Sequence, residues 1–109
     1  MEKLSIENIY KDIETLYQQL EQNPEGVADS VRCVTNIIGK SKSLKDSNSN
    51  IDLAINNQMV IYIKKIKSQS AFIQGLHDRQ DPLLRAFHNI ENYVKECLQK
   101  VEKTHKPKK

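Results

Sequence analysis

The sequence predicts an all-α protein, an antiparallel four-helix bundle built from two helical hairpins with coiled-coil-like packing. Apolar residues recur at spacings of three and four in four separate segments, which is the period of a helix buried along one side. Only three Gly and three Pro occur in 109 residues, so long ordered elements are expected. A chain of this length is one domain that can bury a core without disulfides.

The first hairpin is predicted from helices over residues 6–22 and 24–38. Asn23 and Pro24 would cap and open its second helix, because the first turn of a helix has no partner for the N–H that proline lacks. Gly39 would end that helix as a left-handed C′ residue. Apolar residues occupy positions a, d and e of an unbroken seven-residue repeat in the first helix, namely Ile6, Ile9, Tyr10, Ile13, Leu16, Tyr17 and Leu20.

Residues 51–76 are predicted to form the central helix, because this stretch is the longest and most apolar in the chain. Its stripe is interrupted once, by the polar residue Gln69. Residues 59–63 are rich in β-branched side chains and also suit a buried strand. The helical period continues beyond them on both sides, and no second strand-like segment is available for pairing, so the helix is favoured. The stripe consists of Ile55, Met59, Tyr62, Ile66, Ile73 and Leu76.

A helix over residues 82–103, opened by Asp81 and Pro82, completes the second hairpin. Residues 40–50 are rich in Ser, Asn and Lys and are expected to be a flexible linker. Residues 1–103 would then form a single helical domain, followed by a basic, disordered tail over residues 104–109. The apolar positions of the last helix are Leu83, Phe87, Ile90, Val94, Cys97 and Val101.

Composition argues against several classes of protein. The net charge of +3 is mild and is concentrated in the last ten residues, so the chain lacks the basic footprint of a dedicated DNA-binding domain. Cys33 and Cys97 are too few for a disulfide framework and suit buried, free thiols. No run approaches the ~20 apolar residues of a membrane span, and the acidic N-terminal region does not resemble a signal peptide. We therefore expect a cytoplasmic protein, with a nuclear location as the alternative.

The sequence carries no recognisable motif for catalysis, a cofactor or a metal. His77 and His88 flank the second reversal, but the close Cys or His pairs that zinc favours are missing. His88 and Cys97 lie on one predicted helix, separated by about 13 Å along its axis, which is too far for a hydrogen bond. We therefore predict that the protein is not an enzyme and needs no cofactor.

The remaining signal is the apolar stripe of the second hairpin, which looks longer than the first hairpin that would cover it. We expect the uncovered part to dock a partner helix or a second copy of the chain. The predicted function is a small protein–protein interaction module, such as an adaptor, an assembly subunit or a chaperone-like partner. The alternative for each candidate anchor is an ordinary core position. The candidates are Ile66, Phe72, Ile73, Leu76, Leu83 and Phe87.

The alternative function is that of a basic accessory protein that binds nucleic acid. Lys64, Lys65 and Lys67, together with the C-terminal lysines, would contact phosphates. The competing interpretation is that these three lysines are the solvated face of a helix packed on its other side. Aromatic residues do not interleave with them for base stacking, and no compact helix-turn-helix motif is present.

Overall fold

The computed structural model describes the backbone of residues 6–44 and 53–105 and the side chains up to residue 99. Most of these residues are helical and none of them lies in a strand, which confirms the all-α prediction. Residues 59–63 lie within a helix, so the strand interpretation of that run is excluded. The elements are α1 (Ile6–Gln22), α2 (Val27–Lys42), α3 (Leu53–Lys67), α4 (Ser70–Gly75), a 3₁₀ helix (His77–Arg79) and α5 (Gln80–His105).

α1 has the predicted bounds, but α2 begins three residues later than expected. Residues 23–26 form a turn in which the Gly26 N–H donates to Asn23 O at 2.9 Å. The Val27 N–H donates to Glu25 O at 2.8 Å, which is the bond of a three-residue γ-turn centred on Gly26. Pro24 therefore lies in the connecting turn and does not open α2. The buried residues of α1 are the a and d positions of its repeat, namely Ile6, Ile9, Ile13, Leu16 and Leu20.

The prediction that Gly39 ends α2 is wrong, because the helix continues to Lys42. Contacts beyond Gly39 hold the additional turn in place. Lys40 Nζ lies 2.7 Å from Asp12 Oδ2 on α1, and Ser41 is buried with its hydroxyl donating to Ile38 O at 2.9 Å. Residues 40–42 of the predicted linker are thus helical, and residues 45–52 lie outside the described part of the chain.

The predicted helix over residues 51–76 is two helices in the structure, separated at Gln69. This residue has φ −85° and ψ 74°, the conformation of an inverse γ-turn, and the Ser70 N–H donates to Ser68 O at 3.0 Å across it. Gln69 is exposed, whereas an uninterrupted helix would hold its amide against the core. The break therefore falls at the one polar position of the stripe and turns that side chain to water.

The bend at Gln69 brings α4 against the start of α2. The approach at Gly75 is close, since a Cβ added there would lie 2.9 Å from Val27 Cγ2. His77 then reverses the chain with a left-handed φ of 51°, and Arg79 Nε donates to Thr35 Oγ1 on α2 at 3.2 Å. The end of the second hairpin is thus folded onto the first hairpin and does not project beyond it.

The six residues expected to be exposed anchors are all buried, so the expectation that they form an uncovered surface is wrong. The physical reason is the bend, which packs the apolar side of α4 and of the first turns of α5 into the common core. Their relative exposures are 0% for Ile66, 1% for Phe72, 5% for Ile73, 5% for Leu76, 0% for Leu83 and 0% for Phe87.

The helices share one core. α1 packs against both α2 and α3, and α5 also packs against both α2 and α3. α5 extends through residues 104 and 105, where the tail was expected to begin, and residues 106–109 lie outside the described part of the chain. Among the described residues, no helix combines the length and the apolar character needed to cross a membrane.

Candidate interaction surface

The described side chains form no group of three or more His, Cys, Asp and Glu residues suited to holding a metal ion. Cys33 and Cys97 are both free and buried. Burial raises the pKa of the Cys33 thiol above its usual value, and the Asp12 carboxylate raises it further. A thiol with a raised pKa stays protonated and is a poor nucleophile at neutral pH.

The three lysines proposed as phosphate contacts are exposed in the last turn of α3. Lys67 Nζ lies 3.5 Å from Glu91 Oε1 on α5. Lys65 Nζ donates to the Tyr17 hydroxyl at 3.5 Å and lies 5.6 Å from the centroid of the Tyr17 ring. Two of the three ammonium groups therefore already interact with other side chains of the chain.

Three tyrosines form a stack across the groove between α1 and α3. The Tyr62 ring lies between those of Tyr10 and Tyr17, at centroid distances of 6.2 Å and 4.5 Å. The interplanar angles are 20° and 23°, so the rings are nearly parallel. All three side chains are half-buried and pack against the core. The stack covers the ring faces that meet one another and leaves the rest of each ring and its hydroxyl near water.

The two α1 tyrosines each bond a glutamate one turn further along the helix. The Tyr10 hydroxyl donates to Glu14 Oε2 at 3.3 Å, and the Tyr17 hydroxyl donates to Glu21 Oε2 at 2.7 Å. The pKa of Tyr10 is raised by burial and then by the Glu14 charge, and the pKa of Tyr17 is raised chiefly by its hydrogen bond to Glu21. Both phenols therefore remain neutral donors throughout the physiological pH range.

Glutamates recur every seven residues beside this stack. Glu7 and Glu21 are exposed, and Glu14 is half-buried. Seven residues are about two helical turns, so the three carboxylates follow one side of α1 at intervals of about 10.5 Å. Ile61, next to Tyr62, is 44% exposed on the outer side of α3. We call this surface the tyrosine face; it consists of Glu7, Tyr10, Glu14, Tyr17, Glu21, Ile61, Tyr62 and Lys65.

Sequence reasoning missed the tyrosine face because it assigned Tyr10, Tyr17 and Tyr62 to the core stripes. The available signal was the Tyr–Glu pair at a spacing of four, which occurs at Tyr10–Glu14 and again seven residues later. A tyrosine followed by an acceptor on the same side of a helix indicates a ring at the boundary of the core, because its hydroxyl must stay paired.

Three clefts elsewhere among the described residues are open to solvent, and two of them have mostly polar walls. Two adjoining clefts of about 230 Å³ and 280 Å³ follow the groove between α2 and α5 and share Ser41, Lys42 and Asn89. Another, of about 410 Å³, lies beside the α1–α2 turn and is lined by Gln19, Gln22, Asn23, Gly26 and Asp29. None of the three clefts is an enclosed pocket of the kind that buries most of a small molecule.

Comparison with known proteins assigns no family to the chain. No protein-family model, no curated protein and no solved structure matches it. Its function is therefore inferred from its own residues, and the tyrosine face is the part of the described surface that combines exposed apolar area with organised polar groups.

Proposed function

We propose that the chain is a small, non-enzymatic helical module that binds a partner protein on an exposed helical surface. The observation that carries this proposal is the tyrosine face, where three stacked rings lie half-buried and Ile61, the neighbour of Tyr62 in the chain, is 44% exposed. Tyrosine is enriched at interface hot spots because it offers a large, rigid contact area at a low cost in conformational entropy. The proposed docking site thus moves from the six buried residues to the α1–α3 groove.

The proposed architecture of this module is a four-helix bundle of two antiparallel hairpins, α1–α2 and α3–α5, which lie side by side with α1 next to α3 and α2 next to α5. The closed ring of contacts in the order α1, α2, α5, α3 supports it. Tyr10 stacks on Tyr62, and Tyr17, seven residues further along α1, contacts Lys65, three residues further along α3. This order is expected if α1 and α3 run in the same direction. Thr35 on α2 accepts a hydrogen bond from Arg79, just before α5, and Ser41 and Lys42 at the end of α2 line a cleft with Asn92 and Glu96, further along α5. These contacts are expected if α2 and α5 run in the same direction.

Nucleic-acid binding remains the second candidate function, since Lys64, Lys65 and Lys67 are exposed together in the last turn of α3. The interactions of Lys65 with Tyr17 and of Lys67 with Glu91 compete with phosphate contacts. Such binding would weaken steeply with added salt, because it depends on the release of counterions from the phosphates. Docking of an apolar helical surface would depend on salt much less.

Site-specific photo-crosslinking in cells that produce the protein tests the proposed function. A photoreactive phenylalanine derivative replaces Ile61 in one version of the full chain and Asn89, an exposed residue of α5, in the control. We expect a discrete protein adduct from position 61 that is lost when Tyr17→Ala is added, and no such adduct from position 89. Equal adducts from both positions, or adducts from position 61 with nucleic acid alone, would contradict the proposal.

A further inference from the structure

We propose that the partner segment that occupies the tyrosine face is a basic amphipathic helix with arginines at seven-residue intervals. This inference rests on the proposed function and deepens it by assigning the chemistry of the partner. It depends on three observations: the spacing of the glutamates, the bonding state of their carboxylates and the cation already held over Tyr17.

The spacing of the glutamates matches a helix that lies along α1. Glu7, Glu14 and Glu21 occupy one position of the seven-residue repeat whose apolar positions form the core. Two helices that pack at a shallow angle keep a seven-residue register, and charged residues beside the seam then pair at that interval. A partner helix with cations every seven residues would therefore place one beside each carboxylate.

Two of the carboxylates are held in position for a second donor. Tyr10 and Tyr17 each donate to Oε2, of Glu14 and Glu21 respectively. The Oε1 atoms of these two glutamates accept no hydrogen bond from the described residues. A donor from a partner would meet a carboxylate whose conformation the tyrosine already restricts, so less side-chain entropy is lost on binding.

The ring of Tyr17 already attracts a cation from the chain itself. The Lys65 ammonium lies 5.6 Å from the ring centroid, within the range of a cation–π interaction. Arginine suits this surface better than lysine because its planar guanidinium donates two parallel hydrogen bonds to a carboxylate, as Glu14 and Glu21 can accept. The three glutamates outnumber Lys65, the one lysine of the face, so the face disfavours an acidic helix through repulsion between like charges.

Synthetic helices bound to the full chain provide the test. The probe is an amphipathic peptide of about three heptads, with a leucine seam and one arginine per heptad beside it. Matched peptides carry lysine or glutamate at the same three positions. Fluorescence anisotropy of the labelled peptides gives the affinity, and amide chemical shifts of the isotope-labelled protein locate the binding site. A phosphate-backbone oligonucleotide is titrated in parallel.

Two protein variants are compared, and each removes two negative charges. One removes them from the tyrosine face and the other from positions outside it. Glu14→Gln with Glu21→Gln keeps an oxygen acceptor for each tyrosine while removing two charges. The control, Glu25→Gln with Glu96→Gln, removes two charges from exposed positions outside the tyrosine face, one in the α1–α2 turn and one on α5. We expect the first pair to weaken binding of the arginine peptide by about tenfold and the control pair to leave it within about twofold.

Shifts centred on Tyr10, Tyr17 and Tyr62 with the arginine peptide, a weaker response to lysine and none to glutamate would support the inference. Equal binding of the acidic peptide, equal losses in the two variants, or oligonucleotide binding at this face would overturn it. If no peptide shifts these residues while position 61 still crosslinks to a protein, the partner chemistry is wrong and the proposed function stands. If the crosslink is also absent, both fail.

Discussion

Replacing Gly75 with Ala tests the close approach of α4 to α2, on which the burial of the second hairpin depends. The added Cβ would lie 2.9 Å from Val27 Cγ2, inside normal contact distance, so one of the two must move. Val27 is stiff at χ1 because it is β-branched, and it packs against the core. Overpacking of this kind costs about 1–3 kcal/mol, and the helix propensity of alanine returns up to about 1 kcal/mol.

The expected net effect of Gly75→Ala is therefore a loss of about 1 kcal/mol in the free energy of unfolding. Gly39 supplies a matched control, since it also lies in a helix but a Cβ there has nothing within 4 Å. Gly39→Ala should stabilise the protein by about 0.5–1 kcal/mol, because it reduces the conformational entropy of the unfolded chain.

Urea unfolding followed by far-ultraviolet circular dichroism measures both effects. Adding Val27→Ala to the Gly75→Ala protein removes the methyl group in the way, so the two substitutions should be less harmful together than the sum of their separate effects, by about 1 kcal/mol. Stabilisation by Gly75→Ala equal to that by Gly39→Ala would refute the contact, and with it the folding of α4 onto α2.

Three further predictions concern the break in the central helix, the tyrosine stack and Cys33. Ser70→Pro should cost about 1 kcal/mol, because Ser70 is the first residue of α4 and loses only the hydrogen bond from its N–H to Ser68 O, whereas proline inside an unbroken helix costs about 3 kcal/mol or more; urea midpoints decide between the two. Tyr62→Ala should lower stability by about 2–3 kcal/mol and collapse the near-ultraviolet dichroism of the tyrosines, because it removes the central ring of the stack, whereas Tyr62→Phe should retain most of both. Alkylation of Cys33 in a Cys97→Ala background should be at least about tenfold slower in the native protein than in urea near pH 8. Because the pKa of Cys33 is raised in the folded protein, the unfolded chain loses the thiol proton at a lower pH. The stability that the protonated thiol contributes is therefore present at neutral pH and is lost as the pH rises past the ordinary thiol pKa. Equal alkylation rates in the native and the unfolded protein would contradict the burial of Cys33.

The elements could be predicted where local signals and packing agree. The repeat of α1 is unbroken, and its bounds were obtained correctly. The break at Gln69 cannot be seen in the spacing of apolar residues. A single γ-turn joins the two helices, and Ile73 in α4 and Leu76 just after it keep the spacing that one continuous helix would have. Periodicity cannot distinguish these arrangements. The end of α2 differs from the prediction because the ion pair of Lys40 with Asp12 on α1 and the burial of Ser41 outweigh the preference of Gly39 for a helix terminus.

The candidate surface was predicted less well than the fold because exposure depends on the path of the chain. In a straight second hairpin, Phe72 and Leu83 would lie on an uncovered apolar stripe. Because the hairpin bends at Gln69, both side chains are buried in the core. Tyr10 and Tyr17 have the spacing of core residues, but their hydroxyls require acceptors, and Glu14 and Glu21 keep them at the boundary. The need of the tyrosine hydroxyls for acceptors at the surface is therefore what leaves these two apolar positions accessible.

The same bonds that stabilise the free protein also suit the tyrosine face to binding. An exposed aliphatic stripe as long as the one predicted for the second hairpin would promote self-association, and monomeric proteins accordingly rarely display large apolar patches. Tyrosines whose hydroxyls are bonded to Glu14 and Glu21 keep their aromatic area accessible while each polar group remains satisfied. Because the stack fixes the rings in advance, a partner would lose little entropy in ordering them. The bend at Gln69 and the tyrosine face thus have complementary effects: the first covers the aliphatic residues, and the second presents the area that remains.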